Sequence, residues 1–307
     1  MSGEPLSQAT SALVDASNGA RPLLVSLVAD RRSWLRRLLR IKLGVFALVI
    51  VGIMTLTGLF APLIATHDPL ALVTFSSEAP SAEHWLGTDQ LGRDQFSRLV
   101  YGARASMTVS VLTAAFAVVV GSVLGLLAAY LGGRVDFILM RSADAMFAMP
   151  GIILPLLLVG IMGGSILVVS FALGVASTPG MARLMRGQAL SQMQRDYVLA
   201  SEASGASTLR IIFRHVAPNS FAPIIVAGSL TMSSAVLAEA GLSFLGVGVT
   251  PPAPTWGTML STGLQAIRIA PWQVFAPGLA IFLLILSYNF LGDALRDVLD
   301  PRLRGSL

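Results

Sequence analysis

Long stretches without charge constrain this chain more than any single motif. Residues 43–65, 105–133, 145–182, 216–238 and 269–292 contain no Asp, Glu, Lys or Arg. A bilayer-crossing helix needs roughly 20 apolar residues, and it satisfies its backbone hydrogen bonds internally. Four of the runs supply one such helix each. The run 145–182 holds 38 residues, far too long for one crossing at about 1.5 Å per residue. Gly163-Gly164-Ser165 interrupts it, which predicts a tight helical hairpin. The expected fold is therefore an all-α membrane protein with six transmembrane helices near 42–65, 105–131, 138–162, 166–187, 219–243 and 270–292. Only 12% of the 307 residues are charged and the mean hydropathy is +0.76, whereas soluble domains carry about 25% charge.

Basic residues favour the cytoplasmic side of a membrane. With both termini inside, the inside segments hold 17 Lys and Arg and the outside loops hold 4, namely Arg93, Arg98, Arg104 and Arg268. The expectation is N-in, C-in. The net charge of +5 then reflects topology and not nucleic-acid binding. The run DRRSWLRRLLRIK, residues 30–42, reads as a basic juxtamembrane helix held near lipid headgroups. Residues 1–29 lack a charged-then-apolar order, so they read as a tail with no cleavable signal, and the first span can act as an uncleaved signal anchor. Asp89, Arg93, Asp94 and Arg98 in the first outside loop can form local ion pairs, Gly87, Gly92 and Gly102 permit turns, and Trp256 suits a membrane interface.

Several chemistries are absent from the sequence. There are no cysteines, and His67, His84 and His215 are too dispersed in this topology to suggest a metal site. The one lysine, Lys42, is followed by Leu43, so no phosphate-binding loop of the form G-x-x-x-x-G-K-[ST] exists. If the protein moves something uphill with ATP, another subunit must bind the nucleotide. Only Glu239 lies deep in an expected span. It reads as a helix-packing group, with a pathway or gating role as the alternative. Arg141 and Asp144 are three apart and can pair.

One polar stretch sits among the spans: DYVLASEASGASTLRIIFRHVAPN, residues 196–219. Residues 192–203 read as a helix, with Tyr197, Val198 and Ala200 available for contact. Gly205 can end that helix in a left-handed conformation, Ser207 or Thr208 can cap a second one, and Pro218-Asn219 mark the turn into the fifth span. Inert connectors between helices need only about 2–8 residues, so the length of this one favours docking on another protein.

The stretch resembles the EAA loop of ATP-binding cassette (ABC) importer permeases. Leu199-Ala200-Ser201 occupy the E-A-A positions, Gly205 the glycine and Pro218 the proline. Leu199 replaces the usual acid, and Glu202 is the acid available in its place. HWLGTDQLGRDQFSRLVYGAR (84–104), AGLSFLGVGVTPPAPTWGTML (240–260) and GDALRDVLDPRLRG (292–305) resemble the permeases of the dipeptide/oligopeptide/nickel class, specifically the DppC/OppC type. The likeness covers about residues 35–305.

The resemblance implies a type I importer transmembrane domain in a bacterial inner membrane. It implies partners: a homologous DppB/OppB-type permease, two ABC ATPase subunits, separate or fused, and an extracytoplasmic solute-binding protein. ATP and magnesium would be used by the ATPases, and this chain would bind no cofactor and catalyse nothing itself. Residues 1–41 would form the cytoplasmic tail, 42–104 the first span and outside loop, and 105–307 the permease core, with the coupling loop at about 192–218. Within that loop Asp196, Tyr197, Leu199, Ala200, Ser201, Glu202, Gly205, Ala206, Ser207, His215 and Pro218 would contact the ATPase. The implied cargo is peptides, with nickel complexes, glutathione or haem as alternatives. An ion-coupled secondary transporter acting alone is the competing class, and a membrane-embedded enzyme a third.

Overall fold

The computed structural model describes residues 37–73 and 75–299. The tail 1–36, with most of the basic run, and Asp300 and Arg302 lie outside the described residues. The described residues form helices with no strand: α1 (Lys42–Leu59), α2 (Ala61–Ile64), α3 (Gln95–Leu131), α4 (Gly133–Phe147), α5 (Ile153–Met162), α6 (Ile166–Met193), α7 (Asp196–Ala203), α8 (Thr208–Ile211), α9 (Ala217–Phe244), α10 (Trp256–Gln265) and α11 (Trp272–Leu299). A π-helical turn, Ile212–Val216, joins α8 to α9.

Among the described residues, five helical stretches are long and apolar enough to cross a membrane on their own. The crossing expected over 138–162 is instead divided into α4 and α5. Pro150 lacks a backbone N–H and disfavours helix at the residue before it, and Gly151 follows. The hairpin break falls at Gly163–Ser165, where Ser165 caps α6 by accepting the Val168 N–H at 3.2 Å.

The expected span 105–131 begins ten residues early, because Asp94 caps α3 by accepting the Ser97 N–H at 2.7 Å. At 37 residues and about 1.5 Å each, α3 outreaches the roughly 30 Å hydrocarbon layer. Its first turns therefore stand in a polar cap built from residues 65–73 and 75–94, the hairpin break and the segment around α10. Gln273 and Gln95 tie this cap together: Gln273 donates to the Thr88 carbonyl at 2.8 Å, and Gln95 donates to the Gln273 carbonyl at 3.1 Å. The Thr250 N–H reaches the Gly164 carbonyl at 2.7 Å.

The bundle core depends on close backbone approach. Gly121 and Gly125 sit four apart on α3 and face Met181, Ala182 and Met185 of α6, the small-residue seam expected where lipid gives no hydrophobic drive to helix pairing. Two expectations are corrected nearer the cap. Trp256 is buried, its Nε1–H donating to the Leu99 carbonyl at 2.9 Å, so it serves the core and not a membrane interface. Gly102 makes no turn; it lies inside α3 against the Trp256 ring. Among the expected ion pairs, Asp89 takes both Arg93 (2.7 Å) and Arg98 (3.4 Å), while Asp94 turns to His84.

Candidate functional site

At the end of the bundle opposite the cap, α6 overruns its expected limit of 187 and continues to Met193. The chain bends at Gln194-Arg195 and α7 begins at Asp196, so the helix expected over 192–203 is shorter than its sequence pattern. Its ending matches its composition. Gly205 has φ +77°, its N–H donates to the Glu202 carbonyl at 2.9 Å, and the Ala206 N–H donates to the Ser201 carbonyl at 3.1 Å. These paired bonds close the last turn, and only a left-handed residue allows both. Ser207 opens α8 through its carbonyl, which accepts the Ile211 N–H at 3.0 Å, but its hydroxyl makes no cap bond. Thr208 instead accepts the Tyr130 hydroxyl at 2.8 Å, which fastens α8 to the end of α3.

Pro218 does not mark a turn. Helix runs on from Thr208 to Phe244 through the π turn, where the Ala217 N–H bonds back to the Ile212 carbonyl. An interior proline clashes with the carbonyl four residues earlier, and the wider i→i+5 turn just before Pro218 makes room for it.

Burial divides the segment into a root and a face. Val198, expected to be free for contact, is 3% exposed and packs with Ile211, Val216, Ala189 and Ala129. These residues come from α3, α6 and the segment itself, so α7 is packed directly against two long helices. The face is formed by Asp196, Tyr197, Leu199, Ala200, Glu202, Gly205 and Ser207, all exposed, with Ser201, Ala206 and His215 half-buried. Leu199 is 50% exposed and Glu202 lies three positions on, one helical turn away on the same side. Tyr197 donates to Gln192 Oε1 at 2.7 Å, and His215 Nε2 sits 3.5 Å from the Ser201 hydroxyl. A hollow of about 330 Å³ opens over the turn, lined by Ala200, Ser201, Ser204, Gly205, Ala206 and Arg210. Two ion pairs brace α6 against α4, Arg186 gripping Asp136 at 2.5 Å and Arg183 pairing with Asp144, and within α4 Asp144 also pairs with Arg141 at 3.2 Å. The Arg186 hydrogen bond holds the Asp136 carboxyl below its usual range.

Glu239 lies away from this face. It is fully buried in α9, accepting the Ser243 hydroxyl at 2.8 Å and the Ser106 hydroxyl of α3 at 3.3 Å. It thus links two helices through hydrogen bonds, as a packing role requires. In the cap, His67 and His84 lie with ring centroids 4.8 Å apart, which corrects the expectation that the histidines are dispersed. The polar segment after α2 folds back on the head of α3 and brings both rings to Asp94, a pairing between residues too far apart in sequence for any spacing rule to reveal. Burial alone would raise the Asp94 carboxyl. The Ser97 backbone and hydroxyl, the His84 hydrogen bond and the nearby His67 outweigh it and hold the carboxyl below its usual range.

The sequence profile of binding-protein-dependent transport system inner membrane components matches residues 121–305, and that of the N-terminal transmembrane domain of oligopeptide transport permease C matches residues 31–80. The chain is 41% identical to the dipeptide transport system permease protein DppC of Alkalihalophilus pseudofirmus over 279 residues, 90% of this chain and 91% of that one. It is 43% identical to the di/tripeptide permease DppC of Pseudomonas aeruginosa over 256 residues, 81% and 84% of the two chains. It is 39% identical to the glutathione permease GsiD of Pectobacterium atrosepticum over 275 residues, 89% and 90% of the two chains.

Proposed function

The chain belongs to the family of binding-protein-dependent transport system inner membrane components, and we propose that it forms half of an importer pathway for di- or oligopeptides, converting the motion of partner ATPases into alternating access. The observation that carries this reading is the rooted helix–glycine turn. A short helix with an exposed face, buried on its other side by Val198 against α3 and α6, suits a groove on a moving partner. A push on that face shifts long helices as bodies, because close-packed interiors transmit displacement.

In this reading Asp196, Tyr197, Leu199, Ala200, Ser201, Glu202, Gly205, Ala206, Ser207 and His215 meet the ATPase, with Glu202 supplying the acid that Leu199 does not. Pro218 acts through the π turn that seats the segment. Glu239 holds α3 to α9 so that both move together, which makes any gating role a mechanical one. Two ATPases, a related permease and an extracytoplasmic binding protein complete the assembly, with ATP and magnesium on the ATPases. Peptide cargo is supported by relatives named for dipeptides and di/tripeptides. The relative named for glutathione favours a second cargo of the same chemistry, since glutathione is itself a tripeptide.

The test is a cysteine at Ser207, which is exposed at the turn. In the assembled complex it is expected to crosslink to a cysteine in the ATPase groove, with the yield changing between nucleotide-free and ATP-bound states. Labelling of that cysteine by an impermeant reagent added outside intact cells would overturn the orientation, and failure to crosslink at any groove position would overturn the docking.

A further inference from the structure

The coupling reading leaves the cap unexplained, and there one ligand atom each from His67, Glu83 and His84 lies within 4.8 Å of the others. The two rings are held by one carboxylate. His84 is 3% exposed, with Nδ1 2.9 Å from Asp94 Oδ1. Asp94 is fully buried and already accepts the Ser97 N–H at the head of α3. A carboxylate only accepts, so His84 donates from Nδ1 and keeps the Nε2 lone pair for a ligand. His67 Nδ1 lies 3.0 Å from the Thr66 hydroxyl, which lies 3.4 Å from Asp94 Oδ2. With that hydroxyl donating to Asp94 it accepts from His67 Nδ1, and Nε2 is again the free atom. One carboxylate, directly behind His84 and through the Thr66 hydroxyl behind His67, thus fixes both tautomers, as the supporting groups around protein-bound metal ions do.

We propose that His67, Glu83 and His84 bind a divalent transition-metal ion of the zinc type, which ties the start of the polar segment between α2 and α3 to its later part within the cap. Two imidazoles and a carboxylate with no thiolate make a nitrogen–oxygen set suited to Zn²⁺, with a fourth position open to water or an outside donor. Tetrahedral ligation at about 2.1 Å needs ligand atoms about 3.4 Å apart, so the cluster must close by up to about 1.4 Å. The side chains able to do this are the outer ones: Glu83 is exposed and His67 is 26% exposed, while His84 is the fixed anchor. The site is independent of the cargo and of the coupling segment.

The experiment uses the full chain in lipid nanodiscs, stripped with a chelator and titrated with Zn²⁺ against a chromogenic competitor. One Zn²⁺ per chain is expected. His67→Asn and Glu83→Gln are each expected to weaken it by about tenfold or more, the scale of losing even a supporting group, while His215→Asn at the other end of the bundle leaves it unchanged. Zinc-edge X-ray absorption should give only nitrogen and oxygen donors, with one imidazole fewer in His67→Asn. Because His84 is buried, its removal can unfold the cap, so the test relies on the two outer variants, checked for intact folding by gel filtration. Absence of stoichiometric zinc, or zinc held as tightly by both outer variants as by the parent, would overturn the proposal.

Discussion

The seam between α3 and α6 gives a prediction whose sign can be worked from distances. A methyl carbon placed on Gly125 would lie 2.5 Å from the Ala182 carbonyl oxygen, 2.7 Å from Met185 Cβ and 2.9 Å from the Arg186 nitrogen. Two of these neighbours are backbone, so no flexible side chain can yield, and the helices must part by close to 1 Å at that level. Overpacking of this kind costs about 1–3 kcal/mol. Against it stands the helix preference of Ala over Gly, up to about 1 kcal/mol. Lipid offers no hydrophobic compensation for a loosened helix pair, so Gly125→Ala should lose about 1–2 kcal/mol net. For a chain of this size that lowers the melting temperature by roughly 2–8 °C.

Gly187 on α6 is the internal control, because a methyl there meets nothing within 4 Å. Gly187→Ala should keep or raise the melting temperature, since it gains about 0.5–1 kcal/mol of helix stability. The assay is thermal unfolding of the purified chain in detergent, at one fixed scan rate because membrane-protein melting is commonly irreversible. A Gly125→Ala chain that melts with or above its parent, or two glycine variants that shift alike, would refute the argument that backbone approach holds this seam.

Gly205→Trp should leave assembly intact and uncouple ATP hydrolysis from uptake. A Cβ placed there meets nothing within 4 Å and the position is exposed, so the fold loses about 1–2 kcal/mol to left-handed strain while the ring fills the turn; normal ATP-driven transport in liposomes would exclude the turn from coupling. Asp136→Asn should cost about 0.2–1 kcal/mol at neutral pH, the range for an ion pair open to solvent. Since Arg186 lowers the Asp136 carboxyl below its ordinary 3.8, the pair stabilises the chain above that value and loses its effect as pH falls through the lowered one. The melting difference between parent and variant should therefore close on acidification, and a gap that stays constant would place the cost elsewhere.

What could be read in the sequence was governed by local rules. Charge-free runs longer than a bilayer thickness fixed the class of fold, because an unsatisfied backbone in lipid is too costly. The glycine after a polar helix fixed the turn at Gly205, because few residues tolerate a left-handed backbone. Even the departures were locally caused: Pro150-Gly151 divides the crossing expected over 138–162, and Asp94 starts α3 early.

Only tertiary structure could decide which side of each element is inside. Val198 and Ala200 have similar apolar character in one short helix, yet the first is the buried root and the second belongs to the exposed face. Trp256, read as an interface residue, fills the space left by Gly102 more than 150 positions away. The meeting of His67, His84 and Asp94 has the same origin. Apolar composition is enough to place a helix in a membrane, but in lipid every face of it is apolar. The choice of inner face is left to close packing and to hydrogen bonds between residues distant in sequence, and those exist only once the helices have met.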